Sequence, residues 1–225
     1  MAFHAWVDAA TIAATLGALH PPPRRAIIAS MSLATSHPTI PATLADLEAL
    51  PENLLGEIID GVLYTFPRPR PAHANVALTL GSDLHSPFQR GRGGPGGWWI
   101  LVEPGIELPG SPEVVPDLAG WRRERLPVLP HERSINLAPD WVCEVLSPST
   151  RGHDQRIKRP FYARVGVAHL WFIDVDARTL TVSKLVDGRW LEIGVFGDND
   201  VVRAEPFEAV EISMGDWWPA LEPPA

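Results

Sequence analysis

Short apolar runs separated by turn-forming residues dominate this chain. Most of these runs end at glycine, proline or an Asp-Gly pair, a pattern that predicts β-strands and hairpins. Residues 71–90 differ, because apolar side chains recur there at intervals of four residues, which predicts a helix. We expect Pro87 to end or kink that helix, since proline lacks the backbone donor that a helix interior needs.

The predicted helices and strands alternate along the chain. The expected order is a helix over residues 43–50, a hairpin around Asp60-Gly61, the helix over 71–90, strands over 98–108 and 114–121, a strand–helix–strand unit over 140–174, a hairpin around Asp187-Gly188 and a last strand near 210–212. This order predicts an α/β fold with a mixed sheet, flanking helices, one central crossover helix and C-terminal β-hairpins.

Composition and charge narrow the picture. The chain has 225 residues, of which 45% are apolar, and this length suits one α/β domain. We assign the domain to residues 39–225 and interpret residues 1–38 as an N-terminal appendage.

No apolar run is long enough for a membrane span. The single cysteine, Cys143, excludes an intrachain disulfide and favours a cytoplasmic location. The net charge of −8 argues against nucleic-acid binding over the whole surface but leaves room for a basic patch.

Three acidic residues stand in or beside predicted strands. Glu144 interrupts the apolar run Trp141–Leu146, and Asp117 follows Pro116, where a strand must be irregular. Glu57 lies in the first hairpin, where it can face either the solvent or the interior. A buried carboxylate is costly unless it is paired or bound to a metal. Where carboxylates meet, a divalent cation such as magnesium removes their repulsion, so these acids are candidate metal ligands.

The predicted helix after Glu144 carries Asp154, Lys158 and Tyr162 at intervals of four residues, which places them on one face. Lys158 can pair with Asp154 on the surface, or it can serve phosphate chemistry. In the second case it would orient or help deprotonate an attacking water, or stabilise charge on a phosphate. We expect Tyr162 to serve helix packing. Four arginines surround Lys158 and give a local positive charge that suits a phosphodiester: Arg151, Arg156, Arg159 and Arg164.

Several of these segments together resemble a known family. GEIIDG, VVPD, DWVCEVLSPST and GVAHLWFID, with His153-Asp154, Lys158 and Tyr162 between the last two, are similar to the Uma2 (DUF820) family of restriction-endonuclease-like proteins. That family belongs to the PD-(D/E)XK nuclease-like superfamily. The resemblance covers about residues 42–220 and implies a restriction-endonuclease-like fold.

The resemblance also implies roles for individual residues. Glu57, Asp117 and Glu144 would bind Mg²⁺ or Mn²⁺, which favours the inward-facing interpretation of Glu57. The usual E-x-K pattern is absent, because Leu146 stands two residues after Glu144, and Lys158 is the candidate substitute. The predicted helix must either begin late or bend at Pro160, and the two alternatives give Lys158 different positions.

The remaining reactive or bulky residues have structural interpretations. His73 and His85 are expected at the surface or at helix ends, because no second ligand lies at metal-binding spacing. Cys143 alternates with Glu144 and should be a core thiol. Five tryptophans are many for one small core, namely Trp98, Trp99, Trp190, Trp217 and Trp218. An exposed patch among them would indicate a homodimer, whereas burial by the strands would remove that interpretation.

Two functional classes are consistent with this sequence. The first is a metal-dependent endonuclease that hydrolyses DNA with Glu57, Asp117, Glu144 and Lys158 as catalytic residues. The second is a nuclease-fold module without catalysis that binds nucleic acid or a protein partner. The three acids favour the first class, while the net charge and the missing E-x-K favour the second. For the first class we expect Lys158→Ala to abolish cleavage and to leave magnesium binding largely intact.

Overall fold

The structure, a computed structural model, describes residues 40–220. The strands are β1 (Leu54–Ile59), β2 (Val62–Pro67), β3 (Trp98–Val102), β4 (Ile106–Leu108), β5 (Ser111–Val114), β6 (Leu118–Arg122), β7 (Trp141–Leu146), β8 (His169–Asp174), β9 (Thr179–Val186), β10 (Arg189–Gly197), β11 (Val201–Val202) and β12 (Ile212–Ser213). The helices are α1 (Leu44–Glu48), α2 (Pro71–Leu84), α3 (Arg151–His153) and α4 (Arg159–Arg164). The predicted appendage over residues 1–38 lies outside the described residues.

Short turns of other helical types complete these elements. A π-helical turn, His85–Gln89, extends α2, and a second one, Asp154–Lys158, joins α3 to α4. We call the continuous segment from α3 through α4 the crossover helix. A 3₁₀ turn over Met214–Trp217 follows β12.

A six-stranded sheet in the order β10-β9-β8-β7-β6-β3 forms the centre of the fold. Only β7 and β8 run parallel within this sheet, and the crossover helix connects them. The other neighbouring strands are antiparallel. A four-stranded sheet in the order β2-β1-β5-β4 and the pair β11-β12 complete the described strands. The prediction of a mixed α/β fold with one crossover helix and a C-terminal hairpin is therefore confirmed.

Both predicted Asp-Gly hairpins are present. Asp60 and Gly61 join β1 to β2 with φ angles of 52° and 74°, and Asp187 and Gly188 join β9 to β10 with φ angles of 48° and 74°. Two consecutive positive φ angles are typical of the tight turn that matches the twist of paired strands. Thr43 caps the start of α1, where the Asp46 carboxylate accepts hydrogen bonds from the backbone N–H and the hydroxyl of Thr43.

Two predicted strands are each divided in the structure. The segment 98–108 forms β3 in the six-stranded sheet and β4 in the other sheet, with Glu103 at a φ of 46° between them. The segment 114–121 is divided at Pro116-Asp117, so that β5 ends before the proline and β6 begins after the aspartate. Because proline cannot donate to a ladder, the chain passes from one sheet to the other at this point.

The two prolines inside predicted helices end neither helix. Pro87 lies within the π-helical turn that extends α2, and Pro160 lies in the first turn of α4. In both places the hydrogen-bonding pattern differs from that of an α-helix interior, so the missing N–H of proline is accommodated. The prediction that Pro87 would end or kink the helix is thus replaced by a change of helical type.

Apolar side chains fill both faces of the six-stranded sheet. The cluster beneath α2 includes Trp141 and Trp171, and the cluster beneath the crossover helix includes Trp121 and Phe161. Alternation along β7 directs Cys143 into the first cluster and Glu144 towards the crossover helix, as predicted. Within the described part of the chain, no helix is long and apolar enough to cross a membrane.

The five tryptophans do not form the exposed patch considered from the sequence. Trp98 and Trp217 are buried, while Trp99, Trp190 and Trp218 are partly buried and pack against the two core clusters. The indole nitrogen of each partly buried tryptophan donates to a backbone carbonyl. A homodimer stays a prediction, and these side chains give it no support.

Candidate active site

The ammonium group of Lys158 lies at the centre of a group of oxygen atoms. Its Nζ atom is 2.9 Å from the carbonyl oxygen of Val115 and 3.1 Å and 3.3 Å from the two carboxylate oxygens of Glu144. It is also 3.4 Å from Oε2 of Glu57. These partners belong to β1, β7 and the link between β5 and β6, so the lysine of the crossover helix joins both sheets. Only 5% of Lys158 is exposed to solvent.

Glu144 is held by donors from three directions. The hydroxyl of Tyr162 donates to Oε1 at 2.5 Å, and the backbone N–H of Asp117 donates to Oε2 at 3.4 Å. Lys158 supplies the third contact. Tyr162 packs in the core, as expected, and its hydroxyl in addition contacts the candidate catalytic carboxylate.

Glu57 faces the interior, as the family resemblance implied. Its Oε1 is 2.6 Å from Nε2 of His153, and its Oε2 accepts a hydrogen bond from the backbone N–H of Val115 at 3.2 Å. The His153 ring packs against Tyr64 and Phe66 of β2, with ring centroids 4.6 Å and 4.7 Å away. The hairpin β1-β2 therefore fixes both the carboxylate and the histidine that contacts it.

Asp117 lies where β5 leads into β6, and both of its contacts use Oδ2. The backbone N–H of Val145 donates to this atom at 2.6 Å, and Nε2 of His73 lies 3.1 Å away. The Asp117 side chain is 18% exposed, which makes it more accessible than those of Glu57 and Glu144. His73 lies in the first turn of α2, which agrees with the expected position at a helix end, but it is buried rather than at the surface.

A fourth carboxyl group, that of Asp154, is buried in the same place. Burial raises its pKa to about 6, and the negative charge of Asp117 acts in the same direction although Lys158 opposes it. We refer to Glu57, Asp117, Glu144 and Asp154 as the acid cluster. The surface pair of Asp154 and Lys158 that the sequence also allowed is not formed, because both residues are buried.

The electrostatics of the acid cluster are dominated by burial and by one cation. Burial raises the pKa of Glu144 well above its usual value, and Lys158 offsets this only in part. Burial acts in the same way on Glu57, but Lys158 and His153 outweigh it and lower the pKa of this group. Burial lowers the pKa of Lys158, yet the surrounding carboxylates prevail, and the net direction is upward. Lys158 is therefore a stable ammonium ion in this arrangement.

Sequence reasoning missed the roles of four residues that contact or join this cluster: His73, His153, Asp154 and Tyr162. For Asp154 and Tyr162 a signal was present, since both share a helix face with Lys158. No spacing marked the two histidines, whose partners are 44 and 96 residues distant along the chain, although His153 belongs to the residues that carry the family resemblance.

The chemistry of the donors fits a hard divalent cation, but their spacing is that of an ammonium complex. Carboxylate and carbonyl oxygens are the ligands that Mg²⁺ prefers, at about 2.0–2.1 Å. The oxygens around Lys158 stand at 2.9–3.4 Å instead, which suits N–H···O contacts. Within residues 40–220, no three His, Cys, Asp or Glu side chains are arranged to hold a metal ion. The roles of the predicted metal ligands stay predictions.

The arginines of the crossover helix differ in their availability. Arg151 pairs with Asp174 at 2.5 Å, and Arg164 pairs with Asp60 at 2.6 Å. Arg159 is partly buried, whereas Arg156 is exposed and donates to the carbonyl oxygen of Gly152 at 3.2 Å. The basic patch expected from the sequence is therefore reduced, and Arg156 is the member best placed to meet a phosphate.

Comparisons with known proteins give the family and agree with the fold. The family model Uma2, described as "Putative restriction endonuclease", matches residues 44–215. The crystal structure of "a putative nuclease belonging to DUF820" from Anabaena variabilis ATCC 29413 is similar with a TM-score of 0.61 and 24% sequence identity. This similarity covers 79% of the present chain and 98% of the other, and it shows a shared fold. No curated protein matches the chain.

Proposed function

We propose that this chain, which belongs to the Uma2 family, is a metal-dependent endonuclease that hydrolyses phosphodiester bonds in DNA. The observation that supports this most is the convergence of Glu57 and Glu144 on Lys158, with Asp117 hydrogen-bonded to the backbone of the same strand as Glu144. A family described as restriction endonucleases gives the reaction class. The single, buried Cys143 suits the reducing cytoplasm in which we propose that the protein works.

The acids would hold the metal ion, and their neighbours would keep them in place. Glu57, Asp117 and Glu144 are the residues that would bind Mg²⁺ or Mn²⁺. When bound, such an ion supplies a Lewis acid and neutralises charge on a phosphate. His153 and His73 hold Glu57 and Asp117 at one oxygen each, so that the second oxygen of each carboxylate has a defined direction.

Lys158 serves best as a source of positive charge. A stable ammonium ion cannot take a proton from water, so we do not assign it the role of general base. It can donate hydrogen bonds to a phosphate whose charge rises during hydrolysis. The greater exposure of Asp117 indicates that the substrate phosphate approaches from that side.

The module without catalysis remains the second candidate. Its support is the near-complete burial of Glu144, 1% exposed, together with the presence of an ammonium ion among the acids. A protein of this kind would bind DNA or a partner and would leave the phosphodiester bonds intact.

Cleavage of supercoiled plasmid DNA separates the two candidates. The parent protein should nick or linearise the plasmid with Mg²⁺ or Mn²⁺ and lose this activity in EDTA. Glu144→Gln and Asp117→Asn should lose cleavage by about a hundredfold or more, as expected when a charged group at a reaction centre is removed. Glu113→Gln is the matched control, because Glu113 is a buried acid that contacts Ser134 outside the acid cluster.

The outcomes are distinct. Metal-dependent cleavage by the parent and by Glu113→Gln, but not by the two cluster variants, supports the nuclease. Binding of labelled DNA without cleavage in either metal supports the second candidate. Equal cleavage by the parent and Glu144→Gln contradicts the assignment of the site.

A further inference from the structure

We propose that the ammonium group of Lys158 is the resident cation of the acid cluster and that a divalent metal ion enters by displacing it. This inference rests on the proposed function, because it concerns the metal that the nuclease would use. It predicts that the loss of Lys158 strengthens metal binding, which differs from the expectation from sequence that binding is left largely intact.

The contacts of the Lys158 Nζ atom show that a metal ion would compete with the ammonium group for the same space. Oxygen atoms of Glu57, Glu144 and Val115 all lie within 3.4 Å of Nζ. A metal ion that used Oε2 of Glu57 together with a carboxylate oxygen of Glu144 would lie in the space that the ammonium fills. Two cations at such short range repel one another strongly in a buried site. The lysine and the metal ion therefore exclude each other at this position.

The spacing of the oxygens around Nζ suits an ammonium ion rather than a metal ion. An ammonium ion keeps its acceptors about 1 Å farther away than Mg²⁺ does. Among the described residues, 40–220, no three His, Cys, Asp or Glu side chains are arranged to hold a metal ion. As long as Lys158 occupies the centre, Glu57 and Glu144 cannot close to metal-binding distance.

The negative charge of the acid cluster needs a cation to balance it. Four buried or partly buried carboxyl groups form the acid cluster, two of them lie within 3.4 Å of Lys158, and buried carboxylates need a paired cation. Once the ammonium is removed by substitution, these groups lack their central cation, and a divalent ion can restore the balance. Lysine has a long flexible stem, so in the parent protein Nζ can move away while the crossover helix stays in place.

Direct titration of Mn²⁺ into the purified full chain tests the inference. Lys158→Met removes the charge and keeps an unbranched side chain, and we expect Mn²⁺ to bind about tenfold or more tightly than to the parent. Lys184→Met is the matched control. The same substitution removes one positive charge at a lysine that pairs with Glu205 outside the acid cluster, and its affinity for Mn²⁺ should stay within about twofold of the parent.

A second measurement uses the parent protein and remains decisive if Lys158→Met does not fold. The chain contains two lysines, Lys158 and Lys184, so labelling with an amine-reactive acetyl reagent can be followed at each by mass spectrometry. Mn²⁺ should increase the labelling rate of the buried Lys158 severalfold. Lys184, whose side chain is 44% exposed and pairs with Glu205, should be unaffected and serves as the internal reference.

The result that overturns the inference differs from the result that overturns the proposed function. If the parent binds Mn²⁺ and cleaves DNA, while Lys158→Met binds no more tightly and Lys158 labelling does not change, the displacement is wrong and the nuclease stands. If neither protein binds Mn²⁺ and the parent does not cleave DNA, both are wrong. Equal tightening in Lys184→Met would attribute the effect to net charge and would also overturn the displacement.

Discussion

The hydroxyl of Tyr162 lies 2.5 Å from Oε1 of Glu144, and both side chains are buried between the crossover helix and β7. This hydrogen bond joins the two segments that enclose the acid cluster, and it gives the tyrosine a role beyond packing. Since a buried carboxylate oxygen needs a donor, the bond is expected to contribute to stability.

Tyr162→Phe tests that contribution. We expect the free energy of unfolding to fall by about 1–3 kcal/mol, because the buried carboxylate loses a donor while the ring is kept. Urea unfolding monitored by tryptophan fluorescence measures the change. Tyr64→Phe is the control, since Tyr64 is the other tyrosine of the chain and packs its ring against His153. Equal losses in the two variants would show that the bond to Glu144 contributes nothing.

Two glycines should respond in opposite directions to alanine. Gly188 has a φ of 74° in the β9-β10 turn, where a side chain is strained although space is open, so Gly188→Ala should destabilise the protein by about 1 kcal/mol. Gly81 lies inside α2, and an added Cβ would meet Leu118 at an ordinary 3.4 Å. Gly81→Ala should therefore stabilise the protein by up to about 1 kcal/mol through helix propensity. Thermal unfolding of both variants checks the sign of each change in stability. A loss of stability in Gly81→Ala would show that the space beside Leu118 does not accept a Cβ atom.

Cys143 should be inert in the folded protein. Burial raises the pKa of its thiol well above the usual value, and the nearby charges of Asp117 and Glu144 act in the same direction. Little thiolate is therefore present at neutral pH, and a reagent cannot reach it. A chromogenic disulfide reagent should react with less than about a tenth of the thiol before unfolding and with all of it in denaturant. Rapid reaction of the folded protein would show that the α2 side of the sheet opens.

The pair Arg151–Asp174 should make stability depend on pH. The hydrogen bond from Arg151 outweighs burial and lowers the pKa of Asp174 below its usual value. A carboxyl group with a lower pKa in the folded state stabilises that state above its unfolded pKa of about 3.9. This contribution is lost as the pH falls through the folded pKa. Asp174→Asn should thus be less stable than the parent at pH 7, and the difference should shrink below about pH 4. A constant difference across this range, measured by urea unfolding, would contradict the assignment.

Arg156 should contribute to DNA binding through its charge. Arg156→Ala should weaken binding to DNA of any sequence. It should also reduce the slope of log affinity against log salt by about 1, because one phosphate contact is lost. Fluorescence anisotropy with labelled duplex DNA at several salt concentrations measures both quantities. Arg203→Ala is the control, because Arg203 is engaged with Glu208 and Glu211. An unchanged slope in Arg156→Ala would remove this arginine from the DNA-binding surface.

Local signals predicted those parts of the fold in which neighbours along the chain determine the structure. The Asp-Gly turns, the helical spacing over residues 71–90 and the strand–helix–strand unit around Glu144 are of this kind. The prolines were harder to interpret. Whether Pro87 ends a helix or enters a π-helical turn depends on packing against the sheet, which a local pattern does not contain.

The candidate site likewise contains some residues that a local pattern predicts and others that only the three-dimensional fold brings together. Glu144, Asp117, Lys158 and its helix neighbours carry a local signal, and the resemblance to a family decided between the two interpretations of Glu57. The contact between His73 and Asp117 exists only because α2 packs beside the β5-β6 link in three dimensions. No spacing rule connects such residues, so the structure was needed to place the histidine.

The π-helical turn Asp154–Lys158 has a consequence for the permitted length of the crossover helix. In an uninterrupted α-helix, the eight steps from Asp154 to Tyr162 would rotate the second side chain about 80° away from the first. The wider turn accommodates an additional residue, and both side chains reach the acid cluster. A deletion of one residue there would turn everything downstream by about 100° and would withdraw Tyr162 from Glu144 without altering either residue. The number of residues in this turn is therefore as much a part of the site as the side chains themselves.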